Sequence, residues 1–487
     1  MEKDYLHMSI LDMHKALVNK EITPLDLVKL SLEAIKKDDN NAYEIILEES
    51  ALKEASELKE VEEDNVFWGI PYVLKDNFST EGILTTGSSN ILNGYIPLYS
   101  STVYQKLKDK HAILVAKATL DELAMGGTGT TGHKGKTFNP YDKTHKHQIG
   151  GSSCGSAASV SSGAVPFALG SDTGDSVRKP ASFSALVGFK PSWGRISRFG
   201  LFPFAPSLDH VAYFTRNVYD SALILSLLAG RDEKDSTSSN KEVLDYVSSI
   251  DKDVSSYKVA VIKEIIDSID DEDIKSAFYK SVDLLKQLGV TVDFVSFNVD
   301  LLKAIYPTYI VISCAEATSN NANLDGIKFG PRYQGSTYEE VMKEARTHGF
   351  SELIRRRFVI GSYSLLKENQ NELFLRAQKC RRRIVNEVNK LLKDYDFIYL
   401  PASPTVAPLF ASSSDKLSNE YLIADNHLAI ANFAGLPSLT LPIGFKGNLP
   451  FGGNFTSRAF EEDKILNIAH ALESLLPYKN IYAKEEK

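Results

Sequence analysis

The sequence predicts an α/β fold in which a mixed central sheet is sandwiched between helices. Three apolar runs support this prediction, because each has the length and composition of a buried strand. They are AILVAK at 112–117, KVAVI at 258–262 and DFIYLPASP at 396–404. The helix-like TLDELAM at 119–125 follows the first run. Buried strands that alternate with helices are typical of a sheet covered on both faces.

Helices are predicted to open the chain and to recur near its end. Thr23 followed by Pro24 and LDLVKLSLEAIKK has the pattern of an N-cap, a first-turn proline and an amphipathic helix, and Asp26 completes a capping box. A long helix is predicted from about residue 364 to 393. Its basic cluster KCRRR at 379–383 is interpreted as a solvated helix face.

No composition shift marks a domain boundary, so a single domain is predicted over 1–487. Its helical N-terminal part ends at about residue 65 and its core spans about 66–230. The remainder, 231–487, belongs to the same domain and carries helical insertions. The polar, serine-rich stretch 231–256 is predicted to be a surface excursion rather than a linker.

Composition and charge exclude several functional classes. The 487 residues carry a net charge of −8 without a long block of lysine and arginine, so no nucleic-acid groove is predicted. Three separated cysteines without a C-x-x-C pair argue against a disulfide scaffold or a zinc site and favour a reducing cytosol. The N-terminus lacks a presequence pattern, and the apolar run at 222–230 is too short to span a bilayer. A cytoplasmic protein is therefore expected.

Three short motif matches are weak. The G-x-G-x-x-G at 127–132 follows a helix-like segment rather than a strand, so a loop is predicted instead of a dinucleotide site. The G-x-S-x-G at 151–155 follows YDKTHKHQIG, which is too polar for the strand of a nucleophile elbow. The S-x-x-K at 176–179 precedes Pro180, which biases Lys179 away from helical geometry, and its companion motifs are absent.

A distributed pattern is far more specific. The segment 150–200 reads GGSSCGSAASVSSGAVPFALGSDTGDSVRKPASFSALVGFKPSWGRISRFG, and 69–77 reads GIPYVLKDN. Together they resemble the glycine/serine-rich segment, nucleophile loop and lysine motif of the amidase signature family. That resemblance implies a Ser–cis-Ser–Lys triad. It assigns Ser176 as the nucleophile, Ser152 as the bridging serine after a cis peptide, and Lys75 as the base.

The chemistry explains why these residue types are needed. A serine hydroxyl is a poor nucleophile until a base removes its proton, and lysine acts as that base only where burial favours its neutral form. Alone, Lys75 would more often be a surface lysine and Ser152 a loop serine; their joint occurrence with the GSDTG segment favours the triad. Cys154 is interpreted as a small packed residue rather than a competing nucleophile.

The glycine-rich turn also predicts an oxyanion site. Backbone N–H groups of Thr173, Gly174 and Asp175, with that of Ser176, are expected to point at the developing charge. Asp175 departs from the family's T-G-G-S pattern, and aspartate tolerates a positive φ less well than glycine. A carboxylate at 4 Å would oppose catalysis by about 1 to 4 kcal/mol. The adjacent basic residues at 178 and 179 are candidates to neutralise it.

Five further segments resemble one branch of the family more narrowly, the A subunits of tRNA-dependent amidotransferases. They are 194–216, 229–238, 307–330, 355–363 and 421–442. The resemblance implies a glutaminase that forms an acyl-enzyme and supplies ammonia for converting Glu-tRNA(Gln) to Gln-tRNA(Gln). It implies B and C subunits as partners, no cofactor or metal in this chain, and ATP and Mg²⁺ at the B subunit. Use of Asp-tRNA(Asn) stays open, because the B subunit reads the tRNA.

Glutamine carries an ammonium and a carboxylate beyond its amide, so its pocket needs one acidic and one basic side chain to bind these two charges. The resemblance places Asp425 at the ammonium, Arg357 at the carboxylate and Tyr309 along the pocket, with Arg356 as the adjacent alternative. Two other functions remain open. A stand-alone amidase would act at full rate without partners, whereas a non-catalytic scaffold subunit, with its oxyanion site disabled by Asp175, would not need Ser176.

Overall fold

A mixed sheet of eleven strands runs through residues 4–412 and 417–484, the part of the chain that this computed structural model describes. The strands are β1 Tyr43–Ile46, β2 Pro71–Lys75, β3 Ile113–Ala118, β4 Phe167–Asp172, β5 Val187–Lys190, β6 His210–Thr215, β7 Lys258–Ile262, β8 Thr291–Val295, β9 Phe397–Pro401, β10 Ser438–Lys446 and β11 Leu449–Ser457. Their order is β1-β3-β2-β4-β6-β5-β10-β11-β9-β7-β8. Strand β2 lies parallel to both β3 and β4. From β4 to β9 in this spatial order, each strand pairs antiparallel with the next.

Sixteen α-helices within the same described ranges connect and cover these strands. They are α1 Ile10–Val18, α2 Pro24–Lys37, α3 Glu48–Glu57, α4 Thr102–Asp109, α5 Cys154–Ser161, α6 Arg178–Phe183, α7 Val218–Leu228, α8 Lys263–Asp267, α9 Glu272–Gln287, α10 Val299–Lys303, α11 Ile305–Asn320, α12 Tyr338–Gly349, α13 Glu352–Leu365, α14 Arg376–Asp394, α15 Ala429–Ala434 and α16 Glu462–Ser474. Short π-helical turns precede α14, at Asn371–Leu375, and α15, at Glu420–Ala424.

The sheet is buried on both faces, as β2 illustrates. Tyr72 and Leu74 join the larger apolar cluster, which includes residues of α1, α7 and α16. Val73, which points to the opposite face, joins a second cluster with residues of α2, α3 and α5. The predicted mixed sheet between helices is therefore confirmed.

Several sequence-based predictions match the structure closely. The three apolar runs form β3, β7 and β9, and Thr23 caps α2 by accepting a hydrogen bond from the Asp26 backbone N–H at 3.1 Å. The G-x-G-x-x-G stretch is a loop. The segment 231–256 contains neither helix nor strand, but its residues Tyr246 and Ile250 are buried in the larger cluster.

The long helix predicted over 364–393 is present from residue 371, where a π-helical turn runs into α14, but the prediction is wrong for the part before it. Helix α13 ends at Leu365, and the chain turns before α14 begins at Arg376. The Asn369 side chain donates a hydrogen bond to the Tyr363 carbonyl oxygen at 3.1 Å and so satisfies a group at the end of α13. Local side-chain bonds of this kind compete with helix continuation.

The helix-like segment at 119–125 is also not an α-helix. It contains only a short turn at Glu122–Ala124, within which Leu123 has a positive φ of 51°. The reason is tertiary: the Asp121 carboxylate accepts hydrogen bonds from four successive backbone N–H groups at 128–131, at 2.9 to 3.1 Å. Those contacts hold the chain in a loop.

Within the described ranges, every helix is too short or too polar to cross a lipid bilayer. The ends and one internal part of the predicted domain, at 1–3, 413–416 and 485–487, lie outside the described residues.

A buried ion pair joins the loop after β2 to β3. Lys117 Nζ lies 3.2 Å from Asp76 Oδ1, and both side chains are fully enclosed. Lys117 also donates to Thr85 Oγ1 at 2.8 Å, and Asp76 Oδ2 accepts from the Thr86 backbone and hydroxyl at 2.7 Å. This network fixes the end of β2, where Lys75 lies.

We predict that Lys117→Met lowers the free energy of unfolding by about 3 to 5 kcal/mol, because it leaves the Asp76 carboxylate buried without its counter-charge. The matched control is Lys36→Met, which removes a solvent-exposed ion pair with Glu48 and is expected to cost no more than about 1 kcal/mol. Urea-induced unfolding followed by circular dichroism measures both. Equal midpoints for the two variants would contradict the prediction.

Candidate active site

Lys75 is the last residue of β2, and its side chain is fully buried. Its Nζ atom donates hydrogen bonds to the hydroxyls of Ser152 at 2.8 Å, Ser153 at 2.9 Å and Ser171 at 2.9 Å. Among the described residues, no carboxylate lies within ion-pair distance of this ammonium group. Burial without a counter-ion lowers the pKa of Lys75 to about 7. Its neutral form is therefore accessible near neutral pH.

Ser152 lies in a tight turn that leads into α5. The Gly151–Ser152 peptide bond is cis, as the family resemblance implies. The Ser152 carbonyl oxygen accepts a hydrogen bond from the Asp121 backbone N–H at 3.1 Å. A Cβ atom on Gly151 would lie 2.0 Å from the Asp121 carboxylate, so only glycine fits at this close approach.

Ser176 lies in the loop between β4 and α6, against the turn that carries Ser152. The Ser153 backbone N–H donates to the Ser176 carbonyl oxygen at 3.2 Å, and Ser176 is 4% exposed. Its hydroxyl makes no hydrogen bond with any described residue. The structure thus brings Lys75 and Ser152 into direct contact and places the Ser176 residue beside them.

A buried arginine–aspartate pair holds the Ser176 loop in shape. Arg178 Nη2 donates to Asp172 Oδ1 at 2.9 Å and to the Gly174 carbonyl oxygen at 2.7 Å. Asp172 Oδ2 accepts the Val177 backbone N–H at 3.0 Å. Burial opposes ionisation of Asp172, but the Arg178 guanidinium outweighs it and lowers the pKa of that carboxyl. Both charges are thereby used to fix the loop.

Four successive backbone N–H groups in this loop, at residues 173–176, have no hydrogen-bond acceptor among the described residues. Thr173, the first of these residues, is also anchored through its side chain, because its hydroxyl donates to Asp209 Oδ1 at 2.7 Å. A row of unpaired N–H groups beside a serine hydroxyl is the arrangement that binds an oxyanion.

Two problems that the sequence predicts at Asp175, a strained backbone and a carboxylate without a counter-charge, are not found in the structure. Asp175 is absent from the residues with positive φ, so its position does not require glycine. Its carboxylate forms an ion pair with Lys179 at 2.8 Å, whereas Arg178 pairs with Asp172.

The expectation that Pro180 would keep Lys179 out of a helix is wrong: both lie in the first turn of α6, where a missing proline N–H costs no helical hydrogen bond.

The three residues assigned to the substrate lie around the same loop. The ring of Tyr309 packs on Gly174, where an added Cβ atom would lie 3.0 Å from the ring. Burial raises the pKa of the Tyr309 hydroxyl, and the charges of Arg357 and Asp175 are near enough to act on it in opposite directions. Asp425 follows the π-helical turn before α15 and lies 3.2 Å from Lys179.

The two candidate arginines differ in their surroundings. Arg357 extends over the Phe204 ring at 5.7 Å, and its buried Nε and Nη1 atoms have no hydrogen-bond partner in the described part of the chain. Arg356 is exposed and forms an ion pair with Glu352 on the surface of α13. A partly buried guanidinium with two enclosed, unpaired donors among the described residues is suited to an anionic ligand, which favours Arg357.

Sequence reasoning missed several residues of the site. Ser153 and Ser171 complete the shell around Lys75, and Asn77 donates to Ser171 Oγ at 3.0 Å. The only signals for them in the sequence are that Ser153 follows Ser152 and that Ser171 is the serine of the GSDTG motif. The contact between Lys179 and Asp425 was also missed, because 246 positions separate them in the sequence.

No group of three or more histidine, cysteine, aspartate or glutamate side chains suited to a metal ion occurs in residues 4–412 and 417–484. The thiol of Cys154 is buried beside the site, and burial raises its pKa to about 12, which disfavours the reactive thiolate. The interpretation of Cys154 as a packed residue agrees with this environment.

Comparison with known proteins now identifies the family. A sequence model of the amidase family matches residues 26–466. The chain belongs to the amidase family. The predicted membership is thus confirmed.

Three proteins that are similar to this amidase over nearly its whole length share one name. It is 38% identical over 478 residues to the A subunit of the glutamyl-tRNA(Gln) amidotransferase of Pediococcus pentosaceus, covering 96% of this chain and 97% of that protein. It is equally identical to the protein of that name from Staphylococcus saprophyticus, covering 98% and 99%. The crystal structure of the Thermotoga maritima protein superposes with a TM-score of 0.81 at 37% identity, covering 99% of this chain and 98% of that chain.

We predict that kcat/KM for amide hydrolysis by this amidase falls about tenfold per pH unit below pH 7, because a base must be deprotonated to act. Since burial lowers the pKa of Lys75 to about 7, the neutral amine dominates above that pH and the ammonium below it. Steady-state rates over a pH series test this, with thermal unfolding at each pH as the control for stability. An acid limb near the ordinary lysine pKa of 10.5 would contradict it.

Proposed function

We propose that this chain is the glutamine-hydrolysing A subunit of a tRNA-dependent amidotransferase. It releases ammonia from glutamine for the conversion of Glu-tRNA(Gln) to Gln-tRNA(Gln). The observation that carries the proposal is the 2.8 Å hydrogen bond between the enclosed Lys75 ammonium and Ser152, next to the loop of Ser176. The relatives named above, which match this chain from end to end, support the choice of reaction.

The proposed reaction begins with attack by Ser176 Oγ on the side-chain carboxamide carbon of glutamine. The serine proton passes through the Ser152 hydroxyl to the neutral amine of Lys75, which burial makes available near pH 7. The C–N bond then breaks, and the proton returns by the same route to the departing nitrogen. Ammonia leaves, and water hydrolyses the γ-glutamyl ester on Ser176 to glutamate.

The tetrahedral intermediate carries a negative charge on the former carbonyl oxygen. The unpaired N–H groups of Thr173, Gly174, Asp175 and Ser176 are the donors assigned to it. Because these groups are fixed by the Arg178–Asp172 pair before substrate binds, they need little reorganisation as the charge develops. Donors of this kind contribute about 2.7 to 4 kcal/mol each when removed one at a time.

Recognition of glutamine uses opposite charges at its two ends. Arg357 is assigned to the α-carboxylate, because its buried Nε and Nη1 groups are unused in the described part of the chain. Asp425 is assigned to the α-ammonium, and the Tyr309 ring packs on Gly174 of the Ser176 loop. A substrate with both charges is thereby distinguished from simple amides.

The second half of the reaction lies outside this chain. We propose B and C subunits as partners, with ATP and Mg²⁺ used at the B subunit to activate the tRNA-linked glutamate. Ammonia reaches it from Ser176, and the misacylated tRNA is bound through the complex. Asp-tRNA(Asn) is a second substrate only if the B subunit recognises it. A cytoplasmic location fits this role in protein synthesis.

The test is ammonia release from glutamine, measured for the chain alone and with its B and C subunits, ATP and misacylated tRNA. We predict turnover that partners stimulate, and a loss of about 10⁴-fold in Ser176→Ala and Lys75→Ala. Ser156→Ala is the matched control, because this buried α5 hydroxyl donates to the Leu169 carbonyl oxygen and to no other group in the described ranges. Full activity without partners would identify a stand-alone amidase, and unchanged transamidation by Ser176→Ala would identify a scaffold subunit.

A second prediction distinguishes the adjacent arginines. Arg357→Met is expected to raise the KM for glutamine about 10- to 100-fold, because a charge-assisted hydrogen bond contributes about 1.5 to 3 kcal/mol. Arg356→Met, one position earlier on the same helix, should change KM less than about twofold, since that side chain pairs with Glu352 at the surface. The reverse order of effects would reassign the carboxylate to Arg356.

A further inference from the structure

Lys179 links two segments of the candidate site that are distant in sequence. Its Nζ atom lies 2.8 Å from Asp175 Oδ2, 3.2 Å from Asp425 Oδ1 and 2.7 Å from the Asp425 carbonyl oxygen. The Lys179 side chain is 9% exposed, whereas those of Asp175 and Asp425 are 24% and 30% exposed. The ammonium group is therefore enclosed, and the two carboxylates reach partly open space.

These contacts leave acceptors but no donor for a ligand. Three oxygen atoms surround the Lys179 ammonium, which has three N–H groups to give. Each carboxylate keeps a second oxygen, Asp175 Oδ1 and Asp425 Oδ2, that has no hydrogen-bond partner among the described residues. A ligand at this place therefore meets carboxylate oxygens, which bind cations.

The charge balance depends on Asp175. With Lys179, Asp175 and Asp425 all ionised, the cluster carries a net charge of −1; burial raises the pKa of the Asp175 carboxyl, and the adjacent Lys179 ammonium opposes that shift. Without the Asp175 carboxylate, Lys179 would neutralise Asp425, and no net charge would remain for a substrate ammonium. Burial opposes the charge of Lys179, but the two carboxylates outweigh it and raise its pKa, so this lysine stays protonated.

We infer that Asp175 and Lys179 act together as one positioning unit for the ammonium end of the substrate. Lys179 holds the Asp425 segment against the first turn of α6, and Asp175 offsets the lysine charge so that Asp425 can bind a primary ammonium group. This inference rests on the proposed function and deepens it. It also gives the aspartate in the oxyanion loop a role in specificity, with its charge directed at Lys179 rather than at the reacting carbonyl.

The test compares Asp175→Asn, Lys179→Gln and the double variant on two substrates. L-Glutamine carries the α-ammonium, whereas glutaramate has the same amide and carboxylate without it. Asp175→Asn leaves no net charge and is expected to raise the KM for glutamine about tenfold. Lys179→Gln also raises KM, because the Asp175 and Asp425 carboxylates then lie close together without a cation between them and repel each other.

The double variant restores a net charge of −1 and keeps an amide N–H₂ at 179 for the Asp425 carbonyl oxygen. Its KM for glutamine is therefore expected within about threefold of wild type, well below the product of the two single effects. The readout is the ratio of the KM for glutamine to the KM for glutaramate, because glutaramate has no ammonium to lose. That ratio should rise in each single variant and return toward the wild-type value in the double variant.

Two outcomes would overturn the inference: independent effects that multiply in the double variant, or equal effects on glutamine and glutaramate. Binding of both ligands to the Ser176→Ala protein, measured by titration calorimetry, separates the two proposals. If the site binds glutamine more tightly than glutaramate, and the substitutions at 175 and 179 leave that difference in affinity unchanged, only the proposed role of Asp175 and Lys179 fails. If the site binds no glutamine, the proposed function fails and the inference falls with it.

Discussion

The enclosure of one lysine ammonium by serine hydroxyls is the constraint on which the site depends. Lys75 ends a strand that is buried on both faces, so its side chain meets only what neighbouring segments provide. The hydroxyls of Ser152, Ser153 and Ser171 satisfy its hydrogen bonds without supplying a charge. Because these hydrogen bonds and the more distant carboxylates only partly offset the cost of burying a cation, the protonated form is disfavoured, and the amine becomes available as a base.

The carboxylates near Lys75 are kept from acting as its counter-ions. Asp76 is paired with Lys117, Asp172 is paired with Arg178, and Asp121 is surrounded by the backbone N–H groups of 128–131. Each of these contacts also shapes a segment of the site: the end of β2, the Ser176 loop, and the turn that carries Ser152. The same interactions therefore fix the geometry and preserve the low pKa of the lysine.

Local sequence predicted the elements that follow from hydrophobic pattern and capping, and it failed where individual side-chain hydrogen bonds redirect the chain. Hydrophobic pattern predicted the strands β3, β7 and β9, and capping chemistry predicted that Thr23 begins α2. The break between α13 and α14 depends on one asparagine side chain, and the loop after β3 depends on where the Asp121 carboxylate lies. Neither interaction has a periodic signal in the sequence.

For the site, the sequence by itself determined the residue types, the family pattern and the candidates for nucleophile, bridge and base. Only the tertiary structure decided their environment. It turned Arg357 rather than Arg356 toward Phe204, because adjacent residues on a helix point about 100° apart. It also brought Lys179 to Asp425 across 246 positions. Such contacts arise when the assembled sheet brings loops from distant parts of the chain together, and the electrostatics of the site follow from that assembly.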